Sequence, residues 1–156
     1  MGDRQEWVGD GETGDCDGHG THVASLIAGQ GGVGGAPDAE IRSLRVLDCN
    51  GMGTQSRVLK ALSYVGEMAP KGSIVNMSLS GGYSPAINRA VETLVNNGFL
   101  VVAAAGNRAE NACASSPGGS RAALTVGALT REDKRVYFSS YGPCVLLRRE
   151  RGLLWG

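Results

Sequence analysis

The sequence predicts an α/β fold built on a mostly parallel sheet, and three observations lead there. Segments with helical spacing of apolar residues alternate with short apolar runs along most of the chain, the pattern of strand–helix–strand units. Two of those runs, residues 99–105 and 122–128, are nearly uninterrupted, the mark of strands buried on both faces. Glycine accounts for 25 of 156 residues and aromatic residues for only 5%, which suits tight turns and does not suit a helical bundle.

Residues 1–18 are polar, rich in Gly and Asp, and read as loop. A helix is expected over 19–28 with Val23, Leu26 and Ile27 on its buried side, followed by a glycine-rich turn over 29–37. Residues 41–47 read as a strand interrupted by charges, and Asp48-Cys49-Asn50-Gly51 is turn chemistry. A second helix over 56–69 carries Val58, Leu62, Val65, Met68 and Ala69 at helical spacing and is stopped by Pro70. Residues 74–79 form a strand. The next helix has Ser84 as its cap, Pro85 at its first position, the stripe Ile87, Val91, Leu94 and Val95, and Gly98 as its stop. The runs 99–105 and 122–128 are the next strands. There is no internal repeat and no linker. In sheets of this kind sites lie at the carboxyl ends of strands. His19-Gly20, residues 78–82 and Gly106-Asn107 fall at element boundaries.

Lys plus Arg equals Asp plus Glu, 15 against 15, so nothing calls for nucleic acid or an anionic membrane. No apolar run reaches transmembrane length, and the polar start Met1-Gly2-Asp3-Arg4-Gln5-Glu6 reads as no signal peptide. The four cysteines, Cys16, Cys49, Cys113 and Cys144, form no CxxC pair, which argues against a zinc ribbon or a thioredoxin-type site. Their even count and wide spacing fit two disulfides in an oxidising compartment; four buried thiols in a reducing one fit the composition as well. The sequence does not choose among the three pairings.

The densest chemistry is Asp17-Gly18-His19-Gly20-Thr21-His22-Val23-Ala24-Ser25. An imidazole in the first turn of a helix is fixed in space and open from the loop side. The flanking glycines leave room for a peptide backbone, and the helix N-terminus disfavours the imidazolium. His19 and His22 are three apart, but the zinc peptidase pattern His-Glu-x-x-His is absent. In Val101-Val102-Ala103-Ala104-Ala105-Gly106-Asn107 an apolar strand delivers a carboxamide, an N–H donor able to stabilise an oxyanion. In Asn76-Met77-Ser78-Leu79-Ser80-Gly81-Gly82 a strand runs into a glycine turn, with an edge able to pair with an extended peptide. Alone, each of these last two is an ordinary strand and turn. The two GxGxxG matches, at 9–14 and 29–34, neither follow a strand nor open a helix and argue for no dinucleotide. Asp10, Glu12, Asp15 and Asp17 read as a solvated acidic loop without the EF-hand pattern.

Together, His-Gly-Thr-His-Val-Ala at 19–24, Asn-Met-Ser-Leu at 76–79 and Ala-Ala-Ala-Gly-Asn at 103–107 resemble the subtilisin-like serine peptidases in order and spacing, from about Asp15 to Val145. The resemblance implies a subtilisin-like three-layer sandwich with a mostly parallel central sheet, here as an incomplete domain. It makes His19 the general base, His22 a structural neighbour and Asn107 the oxyanion donor. Ser78, Leu79 and Ser80 would line the primary specificity pocket from one side, and Ala103, Ala104, Ala105 and Gly106 from the other. Gly51-Met52-Gly53 would be the edge that pairs with substrate backbone. All four cysteines match the proteinase K branch, which implies Cys16–Cys49 and Cys113–Cys144. Residues 41–47 and 81–84 look most like the type 9 proprotein convertases of the subtilisin/kexin group, and residues 17–19 and 76–79 as much like the aqualysin-type bacterial enzymes. The implied parent is a secreted, extracellular endopeptidase made with its own inhibitory propeptide and acting on a peptide or protein substrate. No cofactor is required, and calcium enters only as a structural ion. The alternative is a type 9 convertase-like protein that processes itself once and then binds a lipoprotein receptor.

The chain departs from the family in two places. The family's triad aspartate lies in an apolar strand followed by Ser/Thr-Gly, and its nucleophile in Gly-Thr-Ser-x-Ala; neither segment occurs in these 156 residues. The chain by itself is therefore expected not to hydrolyse peptides, and to expose apolar faces that make it poorly soluble. Residues 1–145 are expected to be a partial catalytic domain and 146–156 an aberrant tail. The tail does not match the family's continuation; one supposed choice of codons for residues 146–155, with a single base restored, reads in another frame as a sequence close to it, so a frameshift after Val145 is expected. Genomic DNA across the Val145 codon is expected to carry that continuation; its absence from every frame overturns the frameshift reading.

Overall fold

The computed structural model describes residues 4–146. The expected tail lies outside the described residues from 147 onward. The chain divides into two compact units, residues 1–61 and 62–156.

In the first unit, strand β1 (Arg4–Glu6) pairs in parallel with β2 (Ser43–Arg45), Arg4 opposite Ser43 and Glu6 opposite Arg45. Residues 4–6 are thus a strand where loop was expected. Arg-Gln-Glu has no apolar alternation, and what extends it is the partner strand that takes up its backbone groups. The Trp7 N–H continues the pairing onto the Arg45 carbonyl at 3.0 Å. Strand β2 is shorter than the expected 41–47 because the chain turns back on itself, Leu47 bridging antiparallel to Gly53.

Helix α1 (His19–Ala28) has the expected bounds, but none of its residues is buried. Leu26 is 56% exposed and Val23 and Ile27 are half-buried, so the expected buried side is uncovered. The first unit's described sheet consists of two three-residue strands, too little surface to cover a ten-residue helix.

Helix α2 (Gln55–Met68) begins behind Thr54, whose hydroxyl accepts the Arg57 N–H at 3.3 Å. Val58, Ala61, Leu62 and Val65 form its buried stripe, while Met68 faces outward. The helix runs into the second unit, where Gly66 lies against Leu94; a Cβ at Gly66 would meet Leu94 Cδ2 at 3.4 Å.

The second unit contains β3 (Ile74–Met77), β4 (Gly81–Gly82), α3 (Pro85–Asn96), β5 (Leu100–Ala104), β6 (Ser115–Ser116) and β7 (Leu124–Val126). The main sheet is parallel, in the order β3-β5-β7. Helix α3 follows its local signals. The Ser84 hydroxyl accepts the Ile87 N–H at 3.3 Å, Pro85 needs no donor in the first turn, and Ile87, Val91 and Leu94 are buried. At its far end the N–H groups of Asn97, at 3.0 Å, and Phe99, at 3.1 Å, both return to the Leu94 carbonyl. Strand β4 pairs antiparallel with β6, an element absent from the sequence expectation. There Ser116 Oγ accepts the Ser84 N–H at 2.9 Å and lies 2.8 Å from Asn88 Oδ1, so a hydroxyl completes what two-residue strands cannot.

Burial along β5 alternates. Val101 is 0% exposed and Ala103 is buried on the strand that α3 packs against, Ala105 just beyond the strand is buried with Ala112 and Val145, and Leu100 is 46% exposed. Ile74, directly opposite Leu100 on β3, is 67% exposed. The expectation of burial on both faces is therefore corrected: α3 covers one face, and Ile74 and Leu100 leave the other open.

This open face is expected to drive self-association of the isolated chain. Sedimentation velocity should show oligomers at tens of micromolar. Ile74→Lys with Leu100→Glu, a cross-strand ion pair at exposed positions, should return it to monomer. A monomeric unsubstituted chain would count against the open face as an adhesive surface.

Candidate active site

His19 is the first residue of α1 and is exposed, with its N–H donating to the Asp17 carboxylate at 3.3 Å. The helix start is held by Asp15. Its carboxylate accepts the N–H groups of Asp17 at 3.2 Å, Gly18 at 2.9 Å and Thr21 at 2.7 Å. Hydrogen bonds from the Thr21 side chain and backbone, then from Gly18, hold the Asp15 carboxyl down at about 2. His22 is exposed one turn on, its carbonyl accepting the Ser25 hydroxyl at 2.7 Å. The signal for this cap was legible, an Asp ahead of a helix, but it stands outside the usual capping position.

The acidic loop is more organised than a solvated one. Arg45 is buried and meets Asp10 through two parallel hydrogen bonds of 2.8 Å each. Its Nη1 also donates to the Glu12 carbonyl, and its Nη2 lies 3.2 Å from Cys16 Sγ and 3.7 Å from Cys49 Sγ. The Arg45 hydrogen bond is the main reason the Asp10 carboxyl is lowered. Asp10 and Asp15 thus have protein partners, and among the described residues no cluster of three or more His, Cys, Asp or Glu is placed to hold a metal ion.

Cys16 and Cys49 are joined, as are Cys113 and Cys144, the pairing the resemblance implies. Beside Cys49, the Asp48 carboxylate accepts the N–H groups of Asn50 at 2.9 Å and Met52 at 3.0 Å, and the Met52 carbonyl accepts the Asp48 N–H at 2.8 Å. Gly53 sits so tightly on Val46 and Leu47 that a Cβ would come within 2.9 Å of the Val46 carbonyl oxygen. Gly51, Met52 and Gly53 are therefore a closed turn, with the Met52 side chain exposed.

In the second unit the carboxyl ends of β3 and β5 open into a concavity of about 300 Å³. Asn76 and Ser78 line one side, residues 102–107 the middle and residues 126–128 the other. Ser78, Ala104, Ala105, Gly106 and Asn107 are thus brought together. Leu79 and Ser80 do not line it. The Ser80 hydroxyl instead stands behind Gly106, 2.9 Å from where a Cβ would be, and Gly106 has φ +98°. Only glycine satisfies both the space and the backbone there.

The loop that carries Asn107 is laced to residues 138–141. The Ser140 N–H donates to the Gly106 carbonyl at 2.9 Å, the Ala109 N–H to Phe138 at 2.8 Å and the Tyr141 N–H to Glu110 at 2.9 Å. Ser139 and Ser140 are buried. Sequence reasoning missed both, since two consecutive serines carry no signal of burial.

Asp15 yields a pH prediction. Its folded carboxyl titrates below the ordinary value near 3.9, so its contribution is present above about pH 4 and disappears as pH falls through about 2. Carboxyl NMR on the monomeric double variant should find that midpoint; one near 4 refutes the cap. Asp15→Ala should speed exchange of the Thr21 amide about fivefold, the equivalent of about 1 kcal/mol for a lost cap.

The chain matches the model of the Subtilase family, Peptidase S8, over residues 2–152. It is 47% identical over 86% of its length to an extracellular serine proteinase of Thermus sp. strain Rt41A, of which it covers 33%. It is 39% identical over 90% of its length to proteinase T of Parengyodontium album, covering 50% of that protein. The crystal structure of a cold-adapted subtilisin-like serine proteinase superposes with a TM-score of 0.83 at 42% identity, over 87% of this chain and 50% of that one. The chain spans a third to a half of the length of these proteins. It belongs to the subtilase family of serine peptidases and carries a subtilisin-like α/β fold.

Proposed function

We propose that the chain is the central part of a secreted serine endopeptidase, in which His19 is the general base and Asn107 the oxyanion donor. The observation that carries this is the concavity at the ends of β3 and β5, where Asn107 adjoins Ser78 and residues 104–106. A carbonyl carbon attacked by a serine develops negative charge on its oxygen. The Asn107 carboxamide N–H, on a loop held by Ser140 and by Cys113–Cys144, meets that charge without having to reorganise. His19, standing at a capped helix start, takes the serine proton and returns it to the leaving amine. The nucleophilic serine and the aspartate that orients the imidazole belong to family segments outside these 156 residues, so the chain alone is proposed to be inactive. Two disulfides agree with an oxidising, extracellular setting.

The test uses the full-length transcript product on a peptide substrate supplied in trans. Asn107→Ala is expected to lower kcat about 10²–10³-fold with little change in KM, the loss associated with this donor in subtilisin. His19→Ala is expected to cost about 10⁶-fold in kcat. A full-length protein that cleaves its own propeptide but never a peptide in trans would replace this reading with that of a binding protein.

A further inference from the structure

The two disulfides stand in different chemical surroundings. Cys113–Cys144 is partly enclosed, Cys144 being 8% exposed. Both cysteines of Cys16–Cys49 are exposed, and the Arg45 guanidinium reaches its two sulfurs from the inner side at 3.2 and 3.7 Å. Asp10 and the Glu12 carbonyl hold that guanidinium in place. A fixed cation beside a sulfur favours the thiolate, the leaving group in thiol–disulfide exchange, and a better leaving group departs faster. Cys16 adjoins Asp15, the cap of α1, and Cys49 adjoins Asp48, the centre of the turn over Gly51, Met52 and Gly53.

From this geometry we propose that Cys16–Cys49 is a thiol-exchange site, at which a small-molecule thiol reduces the disulfide and loosens the helix start that carries His19. The external thiolate attacks Cys49 Sγ, the sulfur farther from Arg45. The Cys16–Cys49 bond breaks as the mixed disulfide forms, and the electron pair leaves on Cys16 Sγ beside the guanidinium. A second thiolate attacks the external sulfur of the mixed disulfide and releases Cys49. Two external thiols are oxidised to one disulfide, and one protein disulfide is reduced to two thiols. Loss of the link frees the Asp15 loop, so the Thr21 N–H loses its fixed acceptor.

The experiment equilibrates the monomeric Ile74→Lys, Leu100→Glu variant in glutathione buffers of graded ratio, quenches with acid, and measures each cysteine pair by differential alkylation and peptide mass spectrometry. Cys16–Cys49 should be half reduced at a value of [GSH]²/[GSSG] about tenfold or more below that for Cys113–Cys144. Arg45→Gln should narrow the gap about tenfold, and reduction should speed Thr21 amide exchange about fivefold. Simultaneous reduction, earlier reduction of Cys113–Cys144, or an unchanged gap in a folded Arg45→Gln variant overturns the proposal. If Arg45→Gln does not fold, the pH dependence of Cys16 alkylation in the reduced, unsubstituted chain decides. A midpoint below the ordinary thiol value of about 8.5 supports the site, and one at or above it refutes it.

Discussion

Every backbone N–H and C=O at the end of a helix or strand must find a partner, and in each unit the candidate residue stands where that demand is met by specific groups. At the start of α1 the Asp15 carboxylate takes three N–H donors, and His19 emerges from the turn so fixed. At the end of β5 the Gly106 carbonyl takes the Ser140 N–H, and Asn107 follows it. Helix α3 between β3 and β5 is closed in the same way by Ser84. The functional side chains stand one residue beyond such closures, which gives them a rigid base and an open side.

What could be read from the sequence was what local chemistry decides. Helix α1 has the anticipated bounds, and α3 obeys Ser84, Pro85 and Gly98. Ser78, Ala104, Ala105, Gly106 and Asn107 meet in one concavity because they stand at or just beyond the carboxyl ends of adjacent parallel strands, whereas Leu79 and Ser80 run past it. What escaped depends on partners distant in sequence. Arg-Gln-Glu at 4–6 is a strand only because β2 lies beside it, and Ser115–Ser116 only because Gly81–Gly82 does. The buried side expected for α1, and the second buried face expected for β5, presuppose covering layers that periodicity cannot supply.

Arg45 shows why a charge inside an apparent strand is poor evidence against the strand. A lone buried guanidinium would be costly, but this one spends its donors on a carboxylate, a carbonyl and sulfur. The acidic loop that looked merely solvated is the counterpart of that buried cation. One interaction therefore orders the loop before α1, satisfies β2's inward-facing charge and conditions the disulfide between them.

The open face of the second unit and the geometry of Asn107 rest on different contacts. Leu100 and Ile74 lie on the uncovered face, and covering them would contribute burial energy and solubility. Asn107 is placed by other means: the Ser140 N–H on Gly106, the Ala109 and Tyr141 N–H groups on Phe138 and Glu110, and the Cys113–Cys144 link, together with the lack of room for any side chain at Gly106. None of these contacts involves Leu100 or Ile74. Loss of a covering layer therefore costs the chain stability and solubility before it costs Asn107 its position, so the Asn107 loop should keep its amide protection in a variant whose open face has been made polar.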